Sequence, residues 1–389
     1  MARSYSTPWW RTRRTQDIAF QVLLVVGVVA LVAILATNAM ATIQRQNIAT
    51  GFGFLNNTAG FDVIQTLIPY NETSTYGRVL LVGVLNTLLV ASIGIVFATL
   101  LGFVIGIGQL SGNWLVARLC RAYVEVLRNT PLLLQLFFWY FAVLRALPGP
   151  RESWGLADMV FLNNRGLYFP GPQAEAGFGL VLLALAAGVI GAVWASVRAR
   201  RVREATGVIA PVFPLALALI VVPPAIGSAV AGFPLSFSWP ALSGLNFEGG
   251  TVVLPELMAL VVALATYTAS YIGEIVRAGI QGVARGQMEA SQAMGLTRGQ
   301  TLRLVIVPQA MRQIIPPLTS QYLNLTKNSS LAVAIAYPDL VSVFAGTSLS
   351  QTGQAIEIIA ITMAVYLTLS LLTSAFMNWY NARVALTER

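Results

Sequence analysis

The sequence has no histidine, a single cysteine and few charged residues, and each shortage excludes a class of protein. The absence of histidine from the 389 residues removes the commonest general base and the commonest metal ligand. The one cysteine, Cys120, excludes an intramolecular disulfide. Charged residues make up 10% of the chain, well below the roughly one quarter found in soluble domains. These shortages argue against an ordinary enzyme active site and against a soluble fold.

The chain also lacks the short motifs that mark nucleotide and metal sites. It contains no GxxxxGK[ST] phosphate-binding loop and no GxGxxG that opens a helix after a strand. Its acidic residues and its cysteine show no metal-ligand spacing. We therefore expect no catalytic residue, no bound cofactor and no metal ion in this chain.

Long apolar runs are what the sequence has in abundance. Hydrophobic residues make up 56% of the chain, and its mean hydropathy is +0.72. A helix needs roughly 20 apolar residues to cross about 30 Å of hydrocarbon. The predicted fold class is therefore all-α, a polytopic membrane bundle of about eight transmembrane helices. The eight runs are Ile18–Ala36, Val84–Leu110, Asn129–Leu144, Phe178–Val197, Val208–Ala231, Leu257–Gly273, Gln313–Tyr337 and Ile358–Met377.

The distribution of basic residues predicts the topology. The formal net charge is +9, but the clusters "RTRR" and "RARRVR" and most other arginines fall in connections on one side of the predicted membrane. The positive-inside rule places that side, with both chain termini, in the cytoplasm. The basicity therefore reflects membrane orientation, and we expect contact with lipid and no binding of nucleic acid.

The first apolar run has two interpretations. "RTRR" followed by an apolar stretch and by Ala39-Met40-Ala41 resembles a cleavable signal peptide. The run is longer than the usual 7 to 15 residues of a signal h-region, so the sequence favours a retained anchor helix.

A polar loop, "GQMEASQAMGLTRGQTLRLVIVP", lies between two apolar runs on the predicted cytoplasmic side. Gln287–Met294 contains mostly helix-forming residues, and Gly295 follows where a helix C-terminus favours a left-handed residue. Thr297 and Gln300 have the spacing of a capping box. The pattern predicts one short helix ending at the glycine and a second one running from Arg298 until Pro308 stops it. An amphipathic connector at the membrane surface and a docking element for another protein are both compatible with this pattern.

Lys327 interrupts the seventh run near its middle. A charge at that depth costs about 2.5 to 3.5 kcal/mol, so the side chain should face the bundle interior or a wet cavity. It follows a kink expected at Pro316-Pro317. Three roles stay open: lining a pathway, pairing with a carbonyl or an acidic side chain of a partner, and snorkelling to the interface. The candidate pathway residues are Asn324, Lys327, Asn328, Ser329 and Tyr271.

Two further patterns predict local packing. Glu274 and Arg277 are three residues apart near a helix end and should form an ion pair. Small residues recur at every fourth position of the second run and should permit close helix contact. They are Gly94, Ala98, Gly102 and Gly106.

The polar loop resembles the EAA loop of ABC importer permeases, whose pattern is E-A-A, three residues, G, nine residues and I-x-L-P. Here Glu289-Ala290-Ser291 precedes Gly295 and then Val305-Ile306-Val307-Pro308 at those spacings. The third alanine is serine, and isoleucine and leucine are both valine. The stretches "EVLRNTPLLLQLFF" and "PQAMRQIIPPLTSQYLNLTKNSSLAVAIAYPDL" resemble the polar amino acid subgroup, and eight spans resemble the long permeases of general L-amino acid uptake.

The resemblance implies a type I ABC importer permease core with cytoplasmic coupling helices, in a bacterial cytoplasmic (inner) membrane. It implies an ATPase partner that binds ATP and Mg²⁺, a second permease subunit and an extracytoplasmic amino-acid-binding protein. The second permease is either another copy of this chain or a different chain, and the long-form resemblance favours a different chain. By matched position, the residues implied for ATPase coupling are Glu289, Ala290, Ser291 and Gly295. In this context, the polar face around Lys327 would meet the carboxylate of an amino acid.

The sequence accordingly divides into an N-terminal segment with the extra anchor (1–77), a first part of the permease core (78–147), inserted external loops with a helix pair (148–251), and a second part of the core (252–389) that contains the coupling loop 286–308. An ATPase-independent secondary amino acid transporter or channel is the alternative function. It accounts for Lys327 but gives no reason for the cytoplasmic helix pair. A non-transporting scaffold leaves Lys327 unexplained.

Overall fold

The structure is a computed structural model, and it describes residues 13–45, 50–207 and 211–384. The helices are α1 Arg13–Arg45, α2 Tyr76–Gln109, α3 Trp114–Asn129, α4 Leu132–Phe137, α5 Phe178–Thr206, α6 Val212–Val230, α7 Pro255–Gln281, α8 Arg285–Ala293, α9 Arg298–Thr301, α10 Val307–Asn328, α11 Leu349–Thr352 and α12 Ala355–Val384. Three π-helical segments, Phe138–Leu144, Leu302–Ile306 and Leu340–Ser348, and a 3₁₀ segment, Ser329–Ile335, extend or join these helices.

Within the described residues, six helices are long and apolar enough to cross a membrane, or up to eight if each of two bent helix pairs is one span. The six are α1, α2, α5, α6, α7 and α12. The predicted all-α bundle of about eight spans is confirmed when each bent pair is counted as one. The first three residues of the predicted run Val208–Ala231 and the two chain termini lie outside the described residues.

The third predicted span differs from the structure. Instead of one helix over Asn129–Leu144, α3 ends at Asn129, and a second helix over Leu132–Leu144 leaves it at an angle of 107°. Thr130 is extended (φ −101°, ψ 129°) because the residue before Pro131 avoids helical geometry. The amphipathic α3 therefore lies before the bend, and only the part after it is uniformly apolar.

The predicted stop at Pro308 is wrong. The helix that begins at Arg298 passes through the π-helical segment Leu302–Ile306 and continues as α10. The N–H of Val307 donates to the carbonyl oxygen of Leu302, so the chain is already in a wider turn before the proline. Pro316-Pro317 also lies inside α10 and does not end it.

The inserted external loops on either side of α5 and α6 contain short antiparallel strands, which the sequence analysis did not predict. Four strands form a sheet in the order β1-β2-β3-β8, and two further pairs are β4-β5 and β6-β7. The strands are β1 Trp154–Leu156, β2 Val160–Asn163, β3 Gly166–Phe169, β4 Gly171–Ala174, β5 Leu235–Ser238, β6 Ala241–Ser243, β7 Asn246–Glu248 and β8 Thr251–Val253. The ring of Phe247 lies 4.7 Å from that of Phe161 and 4.9 Å from that of Tyr168. This aromatic cluster is a small core for the segments on both sides of the α5–α6 hairpin.

The chain forms two compact units, one of which joins the N-terminal part up to Leu89 to the part from Thr326 onward. Its apolar core contains Phe54, whose ring centroid is 6.0 Å from that of Tyr76 and 6.3 Å from that of Phe344. The segment before α2, the start of α2 and the third π-helical segment, Leu340–Ser348, therefore share one core.

Buried polar side chains of α2 hold the turn before this last π-helical segment. The side-chain nitrogen of Asn86 donates to the carbonyl oxygens of Pro338 at 2.8 Å and Gln65 at 2.9 Å. The hydroxyl oxygen of Thr87 accepts from the N–H of Leu340 at 3.1 Å. Asn86 and Thr87 are both 0% exposed. These bonds satisfy backbone groups that the apolar surroundings cannot satisfy.

The second unit comprises Val90–Leu325 and contains a close contact between α2 and α7. A Cβ atom added at Gly102 would lie 2.5 Å from Cγ2 of Ile272, and one at Gly106 would lie 2.6 Å from Cβ of Val276. No side chain larger than a hydrogen fits at these two positions. The predicted packing role of the small-residue stripe in α2 is confirmed.

The helices on either side of the bend pack across α7. The hydroxyl of Tyr123 in α3 donates to the carbonyl oxygen of Thr266 at 2.7 Å. The hydroxyl of Tyr140, beyond the bend, bonds to Oε1 of Glu256 at 2.7 Å. The α3 helix is therefore fixed to the middle of α7, and the following helix to its beginning.

We predict that Gly102→Ala lowers the thermal stability of the purified protein. The added methyl group collides with Ile272, and overpacking of this kind costs about 1 to 3 kcal/mol. The measurement is the unfolding midpoint in detergent. Gly27→Ala is the matched control, because Gly27 is in α1 with no atom within 4 Å of an added Cβ. Equal midpoints for the two variants would contradict the α2–α7 contact.

Candidate functional site

The loop after α7 begins with the short helix α8, which ends as the sequence predicts. Gly295 follows it with φ +77°, the left-handed conformation that glycine adopts without strain. The N–H of Leu296 donates to the carbonyl oxygen of Ser291 at 3.2 Å, and that of Gly295 to the carbonyl oxygen of Gln292 at 2.9 Å. This pair of bonds is a Schellman motif, so the glycine both ends α8 and directs the chain into the next helix.

The predicted capping box at the start of α9 is also present. The backbone N–H of Thr297 donates to Oε1 of Gln300 at 2.9 Å, and that of Gln300 to the Thr297 hydroxyl at 3.4 Å. The Ser291 hydroxyl lies 3.1 Å from Oγ1 of Thr301 and 2.8 Å from the carbonyl oxygen of Met288. Hydrogen bonds at the turn and across the pair thus fix α8 against α9.

The predicted coupling residues differ in exposure. Glu289, Ala290 and Gly295 are exposed, whereas Ser291 is 2% exposed and faces the inside of the helix pair. Ser291 thus positions α8 and presents no surface to a partner. Met294 and Leu304 on the same loop are 76% and 61% exposed. The loop is a fixed helix pair whose outer surface combines small and apolar side chains.

The residues of the predicted polar face around Lys327 differ in exposure. Asn324 and Lys327 are exposed and Asn328 is half-buried, whereas Ser329 is buried with its hydroxyl bonded to the carbonyl oxygen of Thr326 at 2.8 Å. Lys327 has no ion pair with any described residue. The described ion pairs are Arg200–Glu204 and Glu274–Arg277, and the second of these confirms the predicted local pair.

Tyr271, the fifth candidate, lies on α7 in a polar cluster. Its hydroxyl is 3.1 Å from that of Tyr267, and the guanidinium carbon of Arg128 lies 5.0 Å from its ring centroid. A cation over an aromatic face is an attractive arrangement. Tyr271 therefore joins α7 to the end of α3 by an aromatic–cation contact.

Two cavities adjoin Tyr271. The larger has a volume of about 480 Å³ and is lined by polar and charged side chains of α2, α3 and α7, among them Gln109, Arg121, Glu125, Arg128 and Glu274. The smaller, of about 340 Å³, lies between α7 and α10 and includes Pro317, Ser320 and Gln321 together with Arg128 and Tyr271. Both volumes are in the range of small-molecule sites, about 300 to 1,000 Å³.

The sequence analysis did not select the residues of the larger cavity. Arg121, Glu125 and Arg128 are at positions i, i+4 and i+7 of α3, which places them on one helix face. That spacing was the available signal. No sequence pattern identifies Gln109 as a cavity residue, because its burial depends on tertiary packing.

The comparisons with known proteins agree with the resemblance of the loop. The family model "Binding-protein-dependent transport system inner membrane component" matches residues 94–386. The general L-amino acid transport system permease protein AapQ of Rhizobium johnstonii is 54% identical, over 96% of this chain and 93% of that protein. The glutamate/glutamine/aspartate/asparagine transport system permease protein BztB of Rhodobacter capsulatus is 39% identical, over 97% of this chain and 95% of that protein.

A chain from a crystal structure of an amino acid ABC transporter with histidines is similar at TM-score 0.46 and 21% identity, over 79% of this chain and 95% of that chain. The family match covers the α2–α7 contact, both cavities and the helix pair. It favours a permease over the ATPase-independent alternative. With relatives that match over nearly their whole length, this chain belongs to the inner membrane components of binding-protein-dependent transport systems.

Proposed function

We propose that this chain is the permease subunit that forms the translocation pathway of an ATP-driven importer of polar L-amino acids and couples to a separate cytoplasmic ATPase. The observation that carries the proposal is the near full-length similarity to two permeases named for amino acid transport, one of them for glutamate, glutamine, aspartate and asparagine. All four of those amino acids have polar side chains.

The helix pair α8–α9 is the proposed docking element for the ATPase. Glu289 and Ala290 are exposed on α8, and a small side chain such as alanine allows a partner's surface to approach closely. The Schellman motif and the capping box restrict motion inside the pair. A movement of the ATPase would therefore displace the pair as a body.

The second helix of the pair supports transmission of that movement. It runs without a break from Arg298 into α10, and the smaller cavity lies against α10 and α7. The ATPase switches between an open and a closed conformation when it binds ATP. A switch of this kind can shift the equilibrium between two conformations of a structure that is attached to it. In this proposal the attached structure is the helical pathway, which opens to one side of the membrane at a time.

The proposal assigns the remaining roles to partners. ATP and Mg²⁺ are bound by the ATPase subunits, and this chain binds no cofactor and has no enzymatic activity of its own. A second permease subunit, a different chain, completes the membrane unit, and an extracytoplasmic binding protein delivers the amino acid. Both chain termini are cytoplasmic in an inner bacterial membrane.

Reconstitution tests this function. The chain should copurify in mild detergent with an ATPase and a second permease, and proteoliposomes of that complex should take up L-glutamine or L-glutamate only with ATP and the binding protein. Uptake by this chain alone, driven by an ion gradient, would contradict the proposal.

The coupling assignment predicts that Ala290→Arg reduces ATP-dependent uptake by about tenfold or more, because a long charged side chain blocks close contact at the docking surface. The variant should still insert and fold. Ala205→Arg is the matched control, since Ala205 is an exposed alanine near the predicted cytoplasmic end of α5. Uptake and ATP hydrolysis are measured in parallel. Full transport by Ala290→Arg would refute the assignment.

The pathway assignment predicts that Lys327→Met lowers the uptake rate about tenfold while the yield of assembled complex falls less than twofold, because a lost charge-assisted hydrogen bond is equivalent to about 1.5 to 3 kcal/mol. Lys327→Arg keeps the charge and is the control. Gel filtration measures assembly. Loss of assembly before loss of transport would support pairing with the partner permease instead. The other proposed pathway residues are Asn324, Asn328, Ser329 and Tyr271.

A further inference from the structure

The larger cavity described above has the groups needed to bind a small zwitterion. It lies between the end of α2, one face of α3 and the part of α7 that leads into α8. Its volume of about 480 Å³ exceeds that of a free amino acid and leaves room for different side chains. The helices around it are fixed by the α2–α7 contact and by the bond of Tyr123 to α7.

A buried donor without a protein partner lines the cavity. The side chain of Gln109 is 8% exposed, and its Nε2 atom has no hydrogen-bond partner among the described residues. A buried donor without a partner costs about 1 to 3 kcal/mol, and buried amides are paired in most structures. Gln109 lines the cavity, so an acceptor on a bound molecule would satisfy it.

Two arginines in the cavity have free donors. Arg128 stacks over Tyr271 and donates no hydrogen bond to a described residue. Arg121 donates through Nε to the carbonyl oxygen of Ala117 at 3.1 Å, which leaves its terminal nitrogens available. Both guanidinium groups can bind a carboxylate by two parallel hydrogen bonds.

The two acidic residues of the cavity differ in whether they form an ion pair. Both carboxylate oxygens of Glu274 accept hydrogen bonds from Arg277, so this pair is internally neutralised. Glu125 has no ion pair with any described residue and is one turn from both arginines on α3. It is therefore the acceptor available for an ammonium group.

We propose that this cavity is a binding site for the zwitterionic end of a free amino acid. Arg128, Arg121 and the amide of Gln109 bind the α-carboxylate, and Glu125 binds the α-ammonium. The identity of the ligand rests on the proposed transport function, but the recognition chemistry comes from these four side chains. Because the cavity adjoins the base of the coupling loop, it is a subsite at the end of the pathway where the amino acid leaves.

The charge pattern favours an amino acid over an anionic lipid headgroup. An anionic lipid favours an uncompensated basic cluster, whereas here Glu125 lies beside the arginines and would repel a phosphate. A zwitterion uses both signs of charge. Protection of a cavity residue by lipid, and not by an amino acid, would show the opposite preference.

The test measures protection of a thiol placed in the cavity of the full-length chain. Asn129→Cys in a Cys120→Ser background puts a thiol on the cavity wall, and its rate of maleimide alkylation in detergent is measured against L-glutamine concentration. L-Glutamine should slow alkylation. N-acetyl-L-glutamine lacks the ammonium and 4-aminobutanamide lacks the carboxylate, so each should need about tenfold higher concentration for half-protection.

Matched variants locate the binding groups. Arg128→Gln should raise the half-protecting concentration of L-glutamine about tenfold or more. Arg118→Gln removes an exposed arginine of the same helix outside the cavity and should have no effect. A thiol from Ala122→Cys, exposed on α3 away from the cavity, should not be protected.

If Arg128→Gln does not fold, a second variant at Glu125 tests the same site. Glu125→Gln should reduce the preference for L-glutamine over N-acetyl-L-glutamine, since only the first has an ammonium. An unchanged preference would overturn the proposal, as would equal protection by all three compounds. Protection by phosphatidylglycerol but not by L-glutamine would assign the cavity to lipid instead.

The failure of this proposal is distinguishable from failure of the transport function. ATP-dependent uptake by the reconstituted complex without protection of the thiol would remove the cavity site and leave the function intact. Protection without any uptake would keep the zwitterion site and remove the importer assignment.

Discussion

The close approach of α2 to α7 is the constraint on which the larger unit depends. Gly102 and Gly106 bring the two backbones together, and the opposing side chains Ile272 and Val276 are both 0% exposed. In lipid the hydrophobic effect supplies little force between helices, so dispersion contacts of this kind hold them together. The end of α2, which carries Gln109, and the end of α7, which carries Glu274, are thereby kept side by side. The polar cavity lies between these two helices and one face of α3.

The sequence predicted the features that depend on local rules. Apolar runs located the spans because their length is set by membrane thickness. Gly295 and the Thr297–Gln300 box located the ends of the loop helices because capping is a short-range interaction. The four-residue spacing of small side chains in α2 predicted a close contact, although it did not identify α7 as the partner.

The features that the sequence left open arise from distant parts of the chain or from other chains. Pro308 predicted a helix end, but the widened turn before it allows the helix to continue. Gln109 is ordinary in sequence and becomes an unpaired buried donor only when α3 and α7 cover it. Lys327 lacks an acidic partner in the described chain, so its role depends on a neighbour or a solute that one sequence does not contain.

The π-helical stretch Leu302–Ile306 determines how the side chains of α9 are rotated around the helix relative to those of α10. A π-turn holds one residue more than an α-turn, and one residue corresponds to about 100° of rotation around a helix axis. The side-chain faces of α9 and α10 are therefore offset in rotation, although the helix between them is continuous. Conversion of this stretch to regular α-helix would turn the side-chain face of α9 relative to that of α10. In the proposed function, such a conversion would rotate α10 relative to the docking surface.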